Sequence, residues 1–167
     1  MIRRVAFGKA IVAGVAGAAG WEAVARAMRA AGIPVFDLVE VLGTTALGGD
    51  AEAWLWWPIG MLLHCAVGAI WAIFYAYFFW SVFDVKPIVQ GLLFSLLPAL
   101  LAGVVMVPQM SLMQAEPRGT FGPFAVTLGF WGPAMILIGH LVYGAVLGYL
   151  YVRPVGYRTG KRLDLNA

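Results

Sequence analysis

Four long apolar stretches, residues 5–31, 53–80, 87–110 and 130–151, take up most of this chain and leave its backbone few choices. A hydrocarbon core about 30 Å thick is crossed by roughly 20 helical residues, so each stretch is long enough to span it. Inside lipid every backbone N–H and C=O must be bonded within a helix or a closed barrel. Strict alternation of polar and apolar residues is missing, which favours helices over a barrel. With 62% hydrophobic and 11% charged residues and a mean hydropathy of +0.88, the expected fold class is an all-α integral membrane protein with four transmembrane helices.

The second and fourth stretches share a pattern. His64, Gly68, Ala69 and Tyr75 recur as His140, Gly144, Ala145 and Tyr151, all at an offset of 76. Lys9, Ile11, Val12 and Gly14 recur as Lys86, Ile88, Val89 and Gly91 at an offset of 77. Pro34 and Leu38 return as Pro108 and Leu112, and Gly43-Thr44 as Gly119-Thr120. Ordered matches carrying Lys, Pro and His argue for an internal duplication, with repeat 1 over 5–80 and repeat 2 over 82–153. With two spans per repeat, both copies enter the membrane in the same direction. They are tandem parallel repeats about an axis along the membrane normal.

Cytoplasmic flanks collect Lys and Arg. With the N-terminus inside, Arg3, Arg4, Lys9, Lys86, Arg153, Arg158, Lys161 and Arg162 are cytoplasmic, and only Arg26, Arg29 and Arg118 face out. The expectation is a multi-pass protein with both termini, including a tail over 154–167, in the cytoplasm. Arg3, Arg4 and Lys9 ahead of an Ala-rich run also fit the start of a signal peptide. The recurrence of Lys9 to Gly14 at Lys86 to Gly91 favours a retained first span. The net charge of +3 needs no nucleic acid, because the basic tails lie beside anionic headgroups.

Between the paired spans lie short outer segments, residues 34–42 and about 108–114. Asp37 and Glu40 share one face of an otherwise apolar run, as in an amphipathic helix at the interface, which Gly43 would end. Trp54, Trp56, Trp57, Trp80 and Trp131 form an aromatic belt. Gly14, Gly17, Gly20, Gly60, Gly68, Gly144 and Gly148 offer smooth faces for close helix approach. Pro98 should bend the third span.

At 1.5 Å rise per residue, His64 lies about 10 Å below Trp57 and His140 about 13 Å below Trp131. The two are nearly level, and ionisable side chains at that depth turn into the bundle. Across the repeat axis they would face one another. That geometry suits a bis-histidine haem b, with Gly68 and Gly144 making room for the porphyrin edge. Met61, Trp71, Tyr75, Tyr143 and Tyr151 would wall it, and Arg26, Arg29 or Arg118 would hold propionates. Equally, two neutral histidines can serve as interhelical hydrogen-bonding contacts. A metal bound by both histidines and Glu22 is a weaker reading, for want of ligands.

Glu22 breaks the repeat symmetry, standing where the second copy has Ala99. It either pairs with Arg26 at i+4 or supplies a proton- or quinone-site carboxylate beside His64. Cys65, the single cysteine, is about 100° around the helix from His64 and has no disulfide partner. No nucleophile constellation, zinc spacing or phosphate loop is present, so an enzyme acting on soluble substrates is not expected.

Gly32-x-Pro34-x-x-Asp37 leading to Leu42-Gly43, Trp57 followed by His64-x-x-x-Gly68 and Tyr75, and Gly139-His140-x-x-Tyr143-Gly144 with Gly148 and Tyr151 resemble a family of small bacterial inner-membrane proteins of unknown function. The resemblance covers most of the chain. It implies a four-helix fold in the inner (plasma) membrane and transfers no activity. The function expected from the sequence is a non-enzymatic accessory or assembly subunit of a larger membrane complex, in contact with lipid and with other subunits or itself. The alternative is a haem b electron-transfer or quinone-reactive subunit using His64 and His140. A proton or small-solute pathway lined by Glu22, His64 and His140 is a third reading.

Overall fold

The computed structural model describes residues 5–48, 51–80, 82, 85–113 and 121–151. Each apolar stretch is helical, and no strand occurs among the described residues. Helix α1 spans Phe7–Ala30, α2 Leu38–Leu47, α3 Ala53–Phe74, α4 Pro87–Leu101, α5 Val107–Met113 and α6 Trp131–Leu150. One π-helical turn, Tyr75–Phe79, continues α3, and a second, Ala102–Met106, joins α4 to α5.

Three continuous helices are long and apolar enough to cross a membrane: Ala53–Phe79, Pro87–Met110 and Trp131–Leu150. Their outward side chains, among them Leu62, Ile70, Leu100 and Ile138, are exposed and apolar, as a lipid-facing surface requires. The chain is therefore an α-helical membrane protein. Helix α1 has the length, 24 residues, but Lys9, Glu22, Arg26, Arg29 and its many glycines and alanines leave it less apolar than the other three. Arg3, Arg4, Arg118, Arg153 and the tail over 154–167, on which much of the expected orientation rests, lie outside the described residues.

Local chemistry explains the ends. After α1, Gly32 takes φ +75°, while Ile33 N–H bonds Met28 O at 3.0 Å and Gly32 N–H bonds Arg29 O at 2.9 Å. This left-handed glycine closure satisfies two orphan carbonyls. Asp37 caps α2 by accepting from Glu40 N–H at 2.9 Å, with Glu40 itself in the favourable first turn. The sequence placed the end of α2 at Gly43. It falls instead at Gly48, φ +95°, because Gly43 is a packing residue: a Cβ there would run into the backbone of Trp56. Pro87 opens α4 at its first turn, where its missing N–H costs nothing. Pro98, buried within α4, removes one bond from the ladder one turn ahead of the π turn.

Four long helices pack in the order α3, α1, α6, α4. At the α1/α3 crossing Gly14 meets Gly68, and a Cβ on either would strike the carbonyl of the other. At the α4/α6 crossing Gly91 and Gly144 stand in the same mutual relation. Gly17 lies under the Tyr143 ring where α1 meets α6. The ring is not closed between α3 and α4, which stay apart along most of their length. They meet through side chains at one end, where Trp71 and Phe74 lie 6.1 and 6.3 Å from Phe94 between ring centroids.

The buried core is consequently split. One cluster, around Trp21, Met28, Phe36, Met110, Met135 and Ile136, fills the end that carries α2. The other, around Tyr75, Trp80, Phe94, Leu147 and Tyr151, fills the opposite end.

Candidate functional site

Between the two clusters, where α3 and α4 diverge, the fold leaves a cleft of about 310 Å³. This is at the lower end of the range for small-molecule sites, about 300–1,000 Å³. His64 and Val67 of α3, Leu101 and Ala102 beside the π turn, and His140 and Tyr143 of α6 face it, with Phe36, Leu38 and Leu42 over one end and Trp71 at the other. Among the described residues no charged side chain lines it. A nearly continuous apolar wall with a few convergent polar groups is the usual make-up of a site for a lipophilic molecule.

The structure brings the two histidines to this one cleft, and it places between elements a residue that the sequence did not single out. The Trp21 indole, 3% exposed, packs edge-on against both imidazoles, with centroids 5.3 Å from His64 and 6.3 Å from His140. Gly139 makes this fit, since a Cβ there would collide with the indole nitrogen. Trp21 lies far from the tryptophans of the interfacial belt, in mid-helix among glycines and alanines. That isolated position was the signal for it.

Both rings are hydrogen-bonded to backbone. His64 Nε2 donates to Ala18 O at 3.2 Å across the α1/α3 contact. His140 Nδ1 donates to Ile136 O at 2.7 Å, one turn back on its own helix. Tyr143 O–H donates to Gly68 O at 2.7 Å, tying α6 to α3 over the small residues of α1. The indole N–H of Trp21 is buried with no hydrogen-bond partner among the described residues, in a fold where buried donors are normally paired.

Bis-histidine haem demands one nitrogen from each ring aimed at a single iron, with the macrocycle in the space between. Here one indole contacts both rings, and His64 has its Nε2 occupied by Ala18 O. The residues as placed do not fit haem b. Gly68 and Gly144 are committed to helix crossings instead of a porphyrin edge. Arg29 pairs with Asp37, and Arg118 lies outside the described residues. Among the described residues no three His, Cys, Asp or Glu side chains come together as a metal site.

Glu22 does not line the cleft. Its Oε1 lies 2.7 Å from Arg26 Nε, with the carboxylate 6% and the guanidinium 45% exposed. Arg26 also stands 5.5 Å over the Trp57 ring, a cation–π contact that ties α1 to α3. The pair is asymmetric, so its two halves should not be equivalent. Arg26→Ala strands a buried carboxylate and is expected to cost roughly 1–3 kcal/mol. Glu22→Gln leaves a half-exposed guanidinium that water can reach, and should cost less than about 1 kcal/mol. Denaturant titration of the detergent-solubilised variants checks this, and equal losses would contradict it.

Fold and site together define an α-helical membrane protein with an apolar, histidine-bearing cleft between two of its helices. Comparison with protein-family models, curated proteins and solved structures finds no match to this chain.

Proposed function

We propose that this chain is a non-enzymatic, four-span membrane protein built from two tandem parallel repeats, and that it holds a lipophilic molecule drawn from the bilayer in the α3/α4 cleft. Support for the duplication comes from the equivalent crossings Gly14/Gly68 and Gly91/Gly144. The ring contact of Tyr75 with its counterpart Tyr151, at 5.9 Å, points the same way. Counting α1 as the fourth span rests on its antiparallel packing between α3 and α6, with its charged residues near its ends or paired. Both termini then fall on one side, which the lysines and arginines make the cytoplasmic one.

The observation that carries the functional reading is the failure of α3 and α4 to close on each other. A four-helix bundle that only needed to be stable would bury that side as it buries the other three. This one keeps a cleft on which polar groups of α3 and α6, His64, His140 and Tyr143, converge. An accessory role in a larger complex calls for a docking surface, and the exposed faces are the even apolar ones that lipid covers equally well. A proton pathway calls for a carboxylate at the cleft, and Glu22 is turned to Arg26.

The test is direct. Protein purified in detergent and washed free of bulk lipid is extracted with organic solvent, and the extract is analysed by mass spectrometry. One apolar species retained at near-stoichiometric amount is the expected result. Recovery of membrane lipids only in their bulk proportions counts against the proposal.

A further inference from the structure

We infer that the cleft selects a lipid whose head is a neutral hydroxyl, as in a long-chain alcohol, a phenol or a quinol, over one whose head can only accept hydrogen bonds. This rests on the reading of the cleft as a lipophile site and specifies the ligand's chemistry.

A backbone carbonyl can only accept, so a ring nitrogen bonded to one must carry the proton. His64 is therefore protonated at Nε2, which bonds Ala18 O, and His140 at Nδ1, which bonds Ile136 O. In a neutral imidazole the other nitrogen is then an acceptor. His64 Nδ1 and His140 Nε2 are these acceptors, and no side chain or backbone group among the described residues donates to them. Trp21 N–H also has no acceptor, but it is fully buried with Gly139 packed against the indole nitrogen, out of reach of a molecule in the cleft. Tyr143 O–H is already engaged by Gly68 O.

Two lone pairs thus await a ligand. A hydroxyl answers this need, giving its proton to an imidazole. A ketone, an ester or an oxidised quinone has lone pairs alone. It would set its oxygen against imidazole nitrogens that need a proton, leaving desolvated acceptors unanswered. A carboxylate or phosphate head has no counter-charge here, because among the described residues no cationic side chain lines the cleft.

The experiment uses the full chain in lipid nanodiscs, with empty nanodiscs as the partition control. Three tritiated probes share one tail: 4-dodecylphenol, 4-dodecylanisole and dodecylbenzene. The phenol is expected to be retained about five- to tenfold more tightly than the anisole, the effect of one hydrogen bond in a dry site. His64→Phe and His140→Phe should each narrow that gap. The phenol-to-anisole ratio of the unaltered chain decides the matter even if a variant fails to fold. Equal retention of phenol and anisole, both above empty nanodiscs, overturns the hydroxyl preference and leaves the lipophile site standing. Retention of no probe above empty nanodiscs overturns both.

Discussion

Gly144→Leu is expected to prevent stable folding, with steady-state protein in membranes falling close to background and any purified fraction losing its cooperative melt. A Cβ at this position would run into Gly91 O and Ser95, and the nearest obstacle, the Gly91 carbonyl, is backbone, which cannot rotate aside as a side chain can. Overpacking a core costs about 1–3 kcal/mol where neighbours can yield. Here α4 and α6 must separate along their shared face, so the loss should reach or exceed about 3 kcal/mol against a total stability of roughly 5–15 kcal/mol. Gly68→Leu should behave alike at the α1/α3 crossing, where Gly14 O and Ala18 are in the way. Gly8→Ala is the control. Nothing lies within 4 Å of a Cβ at Gly8, and an exposed helical Gly→Ala change adds up to about 1 kcal/mol of helix propensity. A Gly144→Leu protein that melted like the parent would refute the account of the crossing.

The second large effect separates stability from binding. Ala102→Trp places an indole into the cleft from the π turn beside α4, at a point where α3 and α4 are already apart. The fold should therefore accept it, with the melting temperature of detergent-solubilised protein within a few degrees of the parent. Filling apolar space can even stabilise, since the surrounding atoms regain contacts that a void lacks. The apolar molecule extracted with the parent should drop by at least about tenfold, since about 1.4 kcal/mol of lost contact suffices. Unchanged extraction would show that whatever is retained lies outside the cleft. The two substitutions are diagnostic together, one acting through a closed crossing and the other through the open side.

Much of the architecture could be read along the chain. The four apolar stretches coincide with α1, α3, α4 with its continuation and α6 to within a residue or two at most ends, because helix limits here follow local punctuation. Gly32, Asp37, Pro87 and Gly48 act on their immediate neighbours, and such effects need no tertiary partner. Gly43 misled for the opposite reason. A glycine that lets Trp56 approach looks the same in sequence as one that ends a helix.

The candidate site divides the same way. Both histidines line one cleft, but one indole packs against both rings, where the sequence had them facing one another. Trp21 between them required knowing which face of α1 turns toward α3 and α6. The unequal tautomers, Nε2–H in His64 and Nδ1–H in His140, depend on one ring reaching across to Ala18 and the other folding back on Ile136. No offset of 76 residues encodes that difference.

By itself, then, the sequence determined the solvent this protein folds in, the helices, most of their ends and the small residues available at crossings. Each of these follows from backbone hydrogen bonds that lipid cannot supply and from side chains acting within a turn or two. The tertiary structure alone decided which glycines became crossings, which side of the bundle stayed open and which ring nitrogens were left bare. Those outcomes turn on how four helices share a limited set of close contacts. Having spent their small residues on α1/α3 and α4/α6, the helices left α3 and α4 apart, and the histidines stand at that gap.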